Sequence, residues 1–559
     1  MGVFLYSNRP IDAEKVKSVF LSRGHKKVNC YKFGNETILH SGKTLVNNVG
    51  ELKCNDLGGH PDDFILGIGT FFYKGQFGDK ALKSIWLDFE TILNENSIYG
   101  HWAFVVKKAG KTYVINDMSG CLRLYVVNDE NGVVITSSIV SAIASINEPK
   151  YDKHRLCGYL TSSFANEIPF IKGIDNIDSW KYFQFDENNG ARWIKRDLPE
   201  VKRINTMEEA VPYVRGLFKE QMSQIHAIGD ERFSVELTGG LDSRLSTSNL
   251  DSDGFNYEFI HYPLFGPDKE IADIISAREN KRMLVQTNIP IAENGKEHYG
   301  EFDYGFNFFR QYANPRWIIE NRLQFSGALG ECLSTPLCID YLDDTRITTL
   351  VPKFTWNKLM KKDSVSGYHN YVIDYFKKRG FEVYEKLDEK ELYNFEQMFE
   401  GQISGDFMYN SGAQAQIYFY NMYVEWHFNH FVSNIAYEIK NARRLTIACI
   451  KDINPRYAAY PFVSRRRTKR KSVNDVTELS LHYYSYNGVK KLLPNSVVDF
   501  IYEKMGRSFS KDRFDAIDLD FYKEVVDIDE IKRHRNLYSD TLNRMYSIEV
   551  LRKKFGITW

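Results

Sequence analysis

Short apolar runs alternate with turn residues through the first two hundred residues of the chain. These runs cover 2–6, 64–72, 101–107, 112–116, 122–127 and 133–136, and residues 107–110 and 128–132 are turn-rich. Period-two alternation between such turns is typical of hairpin strands. The pattern therefore predicts a β-rich N-terminal domain over residues 1–200, with a few helices.

The apolar spacing changes after a polar segment that contains Pro199. Residues 208–227 have apolar positions at helical spacing, and strand-like runs follow at 233–237, 256–261 and 282–285, with a helix opening at 266. Alternating strands and helices predict a parallel sheet whose ligand lies at the carboxyl ends of its strands. The second predicted domain spans 201–559.

The last two hundred residues are expected to be mostly helical from residue 356 onward. They are rich in aromatic residues, for example over 416–428. Aromatic residues at helical spacing more often form a core than a substrate site. We therefore expect a helical extension of the second domain here.

The length, composition and net charge of the chain restrict the classes of protein to which it can belong. A length of 559 residues exceeds one ordinary domain, and 43% hydrophobic residues suffice for buried cores. Basic and acidic residues number 73 each, and this zero net charge argues against nucleic acid or an anionic membrane as partner. Seven dispersed cysteines without a Cys-x-x-Cys pair, no signal-peptide pattern and no membrane-spanning stretch favour a cytoplasmic protein.

One segment combines residues that can bind phosphate. It lies between a predicted strand and a predicted helix and runs Leu237-Thr238-Gly239-Gly240-Leu241-Asp242-Ser243. Adjacent glycines let the backbone approach an anion, and the two hydroxyls and the first helical N–H groups can donate to it. Because the Asp242 carboxylate would repel phosphates, we expect Mg²⁺ between them.

This segment resembles the Ser-Gly-Gly-x-Asp-Ser loop of the ATP pyrophosphatases, with Thr238 in place of the usual serine. The resemblance implies that ATP binds here and is cleaved between its α and β phosphates. It also implies a doubly wound, adenine nucleotide α-hydrolase-like sheet. An ordinary strand-to-helix turn with two glycines is the alternative interpretation.

The N-terminal domain resembles the glutaminase domain of asparagine synthetases. Four segments carry the resemblance in the family's order, at 98–104, 116–125, 136–143 and 170–174. The resemblance implies an Ntn-type β-sandwich. The family hydrolyses glutamine with a cysteine that follows the first methionine. Residue 2 is Gly2 here, so we expect a scaffold that does not hydrolyse glutamine.

A second segment, 323–332, resembles the family's strand that ends in Ser-Gly-Glu-Gly-x-Asp-Glu. Ser326 and Gly327 match the nucleotide-contacting residues, whereas Ala328 and Leu329 depart from the pattern. If Glu331 replaces the aspartate, it binds one Mg²⁺ together with the loop aspartate.

Two further site residues follow from the resemblance alone. Ile260, on the second strand, matches the position whose backbone receives adenine in the family. Lys490 corresponds, at a compressed spacing, to the lysine that stabilises charge when an amine attacks the acyl adenylate. The basic run at 465–471 could attract an anionic substrate.

The resemblance covers the chain and implies an ATP-dependent ligase that adenylates a carboxylate and transfers the acyl group to an amine or ammonia. β-Lactam synthetases and lasso peptide cyclases also lack this cysteine. The expected substrate is a small-molecule, peptide or sugar-acid carboxylate, and a homodimer stays open. The alternatives are a catalytically degenerate relative and another pyrophosphatase chemistry such as RNA thiolation.

Overall fold

The computed structural model describes most of the chain and groups its strands into three sheets. The described residues are 2–22, 27–42, 51–53, 57, 59–161, 169–197, 199–229, 233–261, 266–285, 323–327, 330–333, 359–377, 418–440, 443–462, 494–504 and 509–559. Two of the sheets are antiparallel and the third is parallel, so the architecture is mixed α/β.

The antiparallel sheets lie within the first two hundred residues. Their strands are β1 (Val3–Ser7), β2 (Asn29–Phe33), β3 (Glu36–Ser41), β4 (Glu51–Lys53), β5 (Phe64–Tyr73), β6 (Gln76–Phe77), β7 (Tyr99–Lys108), β8 (Lys111–Asn116), β9 (Tyr125–Asp129), β10 (Gly132–Thr136), β11 (Ile174–Asn176), β12 (Lys181–Asp186) and β13 (Gly190–Lys195). The first sheet has the order β11-β9-β10-β1-β3-β2. The second has the order β13-β12-β8-β7-β5-β4, with β6 beside β5.

Period-two alternation builds four layers from these sheets. On β1, Phe4 and Tyr6 point into the core between the sheets, whereas Val3 and Leu5 point outward. The outer face of the first sheet is covered by α1 (Ala13–Ser22), α4 (Ile139–Ala144) and α5 (Lys153–Thr161), and that of the second by α2 (Gly78–Leu87) and α3 (Phe89–Asn94). The β-rich N-terminal half is thus a sandwich of two sheets between helices.

The third sheet holds β14 (Phe233–Glu236), β15 (Tyr257–His261), β16 (Met283–Val285), β17 (Leu323–Ser326) and β18 (Tyr418–Asn421). All of its pairings are parallel, in the order β16-β15-β14-β17-β18. The chain runs outward from β14 and then returns to its other side at β17. Ligands of open parallel sheets bind where the strand order reverses in this way, here at the carboxyl ends of β14 and β17.

Helices of the parallel-sheet region and of the C-terminal region complete the fold. They are α6 (Met207–Ile225), α7 (Leu241–Ser252), α8 (Gly266–Arg278), α9 (Lys362–Lys377), α10 (Trp426–Val432), α11 (Tyr437–Lys440), α12 (Arg444–Ile453), α13 (Pro455–Ala458), α14 (Asn495–Lys504), α15 (Lys511–Ala516), α16 (Ile528–Arg533) and α17 (Ser539–Phe555). Over the described ranges, no helix combines the length and the apolar character needed to cross a membrane.

The C-terminal helices pack on the N-terminal sandwich. Buried side chains of α9 and α17 share one hydrophobic cluster with α1, α4 and α5. The Tyr151 hydroxyl donates to the Ile548 carbonyl at 2.9 Å, and the Tyr151 N–H donates to Thr558 at 2.7 Å. The predicted boundary near residue 200 therefore separates the sheets, while the end of the chain returns to the first of them.

The prediction of helical structure over 416–428 is wrong at its start. Residues Tyr418–Asn421 form β18, which pairs with β17 in register, and α10 begins only at Trp426. A short apolar run does not show by its period whether it is strand or helix. Here the ladder with β17 decides, because it satisfies the backbone groups of a buried segment.

Removing a side chain from the shared cluster tests this packing. Ile548 is fully buried, so Ile548→Ala should lower the free energy of unfolding by about 2–5 kcal/mol. Amide hydrogen exchange in β1 and β3 should quicken in parallel, because these strands lie under the same cluster. The control is Leu21→Ala on α1, where the side chain is 46% exposed. Unchanged exchange in β1 and β3 would contradict the shared core.

Candidate functional site

The predicted phosphate loop lies at the carboxyl end of the central strand β14. The Leu237 N–H donates to the Ile260 carbonyl at 2.7 Å and so extends the pairing of β14 with β15. Gly240 is the N-cap residue of α7, and no side chain caps the helix there. The first N–H groups of a helix have no partner within the helix. An uncapped start of α7 therefore presents backbone donors at this edge of the sheet.

The two hydroxyls of the loop bond to each other. The Thr238 and Ser243 oxygens are 3.0 Å apart, Ser243 accepts from the Thr238 N–H at 3.1 Å, and Thr238 accepts from the Gly240 N–H at 3.1 Å. The sequence predicted both hydroxyls as anion donors. In the structure they hold the shape of the turn, which leaves the helix N–H groups as the main donors.

The structure brings the second predicted motif against the first. Gly327 follows β17, and a Cβ added there would lie 2.3 Å from the Ser243 Cα. A Cβ added to Gly330 would lie 2.5 Å from the Asp242 Cβ. Only residues without a side chain fit these two positions. The predicted residues Gly240, Asp242, Ser243, Ser326 and Gly327 thus surround one edge of the sheet.

The predicted metal ligands are placed only in part. The carboxylate of Asp242 lies half-buried on the first turn of α7. The backbone of Glu331 lies in the 3₁₀ turn Gly330–Leu333 beside it, and the Glu331 side chain lies outside the described part of the chain. A carboxylate at a glycine-lined helix start has the oxygen donors that Mg²⁺ prefers, so the residues fit the predicted ion.

Ile260 lies one residue before the end of β15. Its carbonyl already accepts from Leu237, and its side chain belongs to the cluster between the two antiparallel sheets. The next residue, His261, is fully buried and its Nδ1 lies 2.8 Å from the Leu237 carbonyl. Lys490 and the basic run at 465–471 lie outside the described residues.

Glu236 is a site residue that the sequence reasoning missed. Its carboxylate accepts a hydrogen bond from the Gln324 amide at 2.7 Å and another from the Ser326 hydroxyl. Burial raises the pKa of Glu236 to about 7, and bonds from Ser326, Gln324 and the Gly327 N–H limit that rise. A charged residue at the end of a short parallel strand was the available sequence signal.

Arg244 ties the loop helix to a distant segment. Its fully buried guanidinium donates to the Tyr460 carbonyl at 2.8 Å and to the Pro461 carbonyl at 2.6 Å. Burial lowers the pKa of Arg244 to about 10. Arg244, the residue after the motif, therefore anchors α7 through its guanidinium.

A histidine, an aspartate and a cysteine also cluster in the N-terminal sandwich. Ligand atoms of His101, Asp117 and Cys121 lie within 4.8 Å of one another. However, the Asp117 carboxylate already accepts from Ser119 and from three backbone N–H groups, those of Trp102, Cys121 and Leu122. Because these bonds occupy the carboxylate oxygens, the cluster shapes a turn and does not suit a metal ion.

Residue 2 has neither a side chain nor space for one. Gly2 has a φ of +81°, and a Cβ there would lie 2.9 Å from the Ser41 carbonyl oxygen and 3.0 Å from Ile68 Cγ2. A nucleophilic side chain at this position would require both neighbours to shift.

Comparisons with known proteins do not show which family the chain belongs to. No family model matches it, and no curated protein matches it. One similar solved structure is a glutamine phosphoribosylpyrophosphate amidotransferase from B. subtilis complexed with ADP and GMP, with 9% identity, 51% of this chain and 81% of that chain covered and a TM-score of 0.23. Another is described as the allosteric regulatory enzyme of purine biosynthesis, with 10% identity, 52% and 82% covered and a TM-score of 0.23. Likeness at this level carries no argument about fold or function.

The raised pKa of Glu236 predicts that the free energy of unfolding depends on pH. The folded chain holds this proton more tightly than the unfolded chain, in which the ordinary pKa is 4.5. The stabilisation of the folded chain by this bound proton is therefore complete below pH 4.5. It is lost as the pH rises toward 7, and the loss in the free energy of unfolding is at most about 3 kcal/mol. Glu236→Gln cannot ionise, so its unfolding free energy should fall less over this range than that of the wild type.

Urea unfolding at several pH values between 4.5 and 8 measures the difference. Glu14→Gln, which changes an exposed carboxylate with 82% of its side chain accessible, is the matched control. Parallel pH profiles for wild type and Glu236→Gln would contradict the assignment.

Proposed function

We propose that the chain is an ATP-dependent ligase that forms an acyl adenylate and then an amide, with AMP and pyrophosphate as products. One observation carries the proposal. The uncapped start of α7, packed against Gly327 and Gly330 and bearing Asp242, lies at the point where the strand order of the parallel sheet reverses. This combination of backbone donors and a carboxylate suits a polyphosphate with a divalent cation.

The reaction has two displacements. A carboxylate oxygen of the substrate attacks the α-phosphorus of ATP, the bond to the β-phosphate oxygen breaks, and pyrophosphate leaves. An amine nitrogen then attacks the acyl carbon, the bond to AMP breaks, and the nitrogen gives up a proton. Charge grows on pyrophosphate in the first step, so fixed donors aimed at it lower the barrier.

The residues of this chain divide the work as follows. The N–H groups at the start of α7 would bind the β and γ phosphates, and the Thr238–Ser243 bond keeps their turn in shape. Asp242, with Glu331 as the second predicted ligand, would hold Mg²⁺, which neutralises the pyrophosphate charge. Lys490 stays the proposed residue for the amide-forming step.

The N-terminal sandwich fits the proposal as a glutaminase-like scaffold. Two antiparallel sheets covered by helices on both sides agree with the expected Ntn-type arrangement. The packing around Gly2 leaves no place for the missing nucleophile. We therefore propose an amine or ammonia, and not glutamine, as the nitrogen donor, in a natural-product or surface-polysaccharide pathway.

Two other functions compete with this one. A catalytically degenerate relative would bind neither ATP nor pyrophosphate, although the packing of Gly327 on Ser243 and of Gly330 on Asp242 favours a working site. An RNA-thiolation enzyme would also adenylate its substrate, but it would respond to RNA. Exchange of labelled pyrophosphate into ATP, with RNA and with candidate carboxylic acids, separates the three functions.

The nucleotide products test the reaction type. With the correct carboxylate and amine, chromatography should show AMP and pyrophosphate in equal amounts. Asp242→Asn should reduce adenylate formation by roughly two to three powers of ten, the usual loss when one electrostatic stabiliser is removed. Asp273→Asn, which changes an exposed aspartate of α8 paired with Lys269, is the control and should behave as wild type. ADP as the coupled product would refute the proposal.

Nitrogen-donor use tests the proposed role of the sandwich. Incubation with glutamine should release no glutamate above background, with or without ATP, because residue 2 is Gly2. Gly2→Cys should not restore glutaminase activity, since its Cβ would press on the Ser41 carbonyl oxygen. Clear glutamate release by the wild type would show that another nucleophile acts in this sandwich.

A further inference from the structure

The turn formed by residues 421–425 lies between the N-terminal sandwich and the candidate site. It directly follows β18, and in the ladder Asn421 is the partner of Ser326, the last residue of β17. Asn421, Tyr423 and Glu425 are fully buried, and Val424 is 2% exposed. A buried turn in this place can transmit packing from one side to the other.

On the site side, the turn contacts the phosphate loop through Tyr423. The Tyr423 hydroxyl donates to the Asp242 carbonyl at 2.6 Å. That carbonyl belongs to the first turn of α7 and can accept one helical bond and one further bond, because it has two lone pairs. Tyr423 therefore fixes the turn whose N–H groups face the anion position.

On the sandwich side, the turn contacts β7 through His101. The His101 Nε2 lies 3.1 Å from the Asn421 carbonyl oxygen and 3.2 Å from the Asn421 nitrogen, so either neutral tautomer keeps one bond. Burial lowers the pKa of His101, which keeps the ring neutral. The Cys121 thiol also lies 3.7 Å from the Val424 carbonyl oxygen.

The turn itself links the two contacts. The Asn421 side-chain oxygen accepts from the Tyr423 N–H at 2.9 Å, and the Asn421 carbonyl accepts from the Glu425 N–H at 3.2 Å. His101 therefore holds the residue that orients Tyr423. From β7 to α7 the route consists of three hydrogen bonds, which join the fully buried His101, Asn421 and Tyr423 to the Asp242 carbonyl.

We propose that His101 and Tyr423 are positioning residues for the nucleotide site, and that the N-terminal sandwich acts on this site through them. The sandwich would thus be needed for nucleotide binding without hydrolysing glutamine. This inference rests on the proposed function for the nature of the ligand. The physical link between β7 and the first turn of α7 is independent of it.

Hydrogen exchange of the full-length protein without nucleotide tests the link. Tyr423→Phe removes only a hydroxyl, and His101→Leu removes the ring nitrogens at similar volume. Each should raise amide exchange at residues 245–247 roughly ten-fold, the factor expected for one buried hydrogen bond. His101→Gln, whose amide can still bond to Asn421, should recover most of the protection.

Two controls match these variants. Tyr457→Phe removes a buried hydroxyl that lies 3.0 Å from the Tyr257 hydroxyl at the far end of α7. His430→Leu removes an imidazole that lies 3.2 Å from the Pro199 carbonyl oxygen and off the route. Neither should change exchange at 245–247. The double variant of Tyr423 and His101 should resemble the single ones, because both act through one contact.

Calorimetric titration with Mg²⁺-ATP provides the second measurement. Binding should weaken roughly ten-fold in Tyr423→Phe and His101→Leu, and it should be unchanged in both controls. If the wild-type protein binds no ATP, the proposed function is refuted. The hydrogen-exchange result tests the link between β7 and α7 independently of that outcome. Unchanged exchange at 245–247 in Tyr423→Phe, or an effect of the double variant near a hundred-fold, would overturn the link.

Discussion

The approach of Gly327 to the first turn of α7 determines the geometry of the candidate site. At 2.3 Å from the Ser243 Cα, any Cβ at residue 327 would have to displace the helix. The helix in turn is held from behind by Arg244, which donates to two carbonyls after the C-terminal end of α13. Because Gly327 and Arg244 restrict the helix on two sides, the N–H groups at the start of α7 have a fixed direction without a ligand. Such preorganised donors are most effective when charge develops on a departing group.

Glu236 adds an electrostatic constraint directly below this place. Its carboxylate links β14 to β17 through Gln324 and Ser326, so it joins the two strands that carry the two motifs. Burial raises its pKa to about 7, and a proton on Glu236 removes a negative charge near the proposed anion-binding turn. An ionised Glu236 would hold the strands with stronger hydrogen bonds and would repel a polyphosphate. The strand link and the proposed binding of an anion therefore favour opposite protonation states.

The sequence allowed the sheets to be predicted, but not the contacts between distant segments. The apolar runs of β1 and β5 predict strands, and the structure shows that each buries side chains on both faces. The Gly239-Gly240 turn predicts the start of the helix α7. In contrast, β18 was predicted as helix, since only its ladder with β17 distinguishes the two. The role of Tyr423 was not predicted, for the same reason. Its role depends on a contact across 181 residues of sequence, and no local pattern records such a contact.

The burial of His101 joins the sandwich physically to the parallel-sheet region. The fully buried imidazole on β7 lies within hydrogen-bond distance of the backbone N–H and carbonyl of Asn421, and these groups lose that partner if the sandwich is lost. Each unsatisfied buried group costs about 1–3 kcal/mol, a large share of the stability of an ordinary domain. The C-terminal helices have the same dependence, because α9 and α17 bury their apolar faces on α1, α4 and α5. The parallel-sheet region and the chain end thus both have buried contacts with the sandwich.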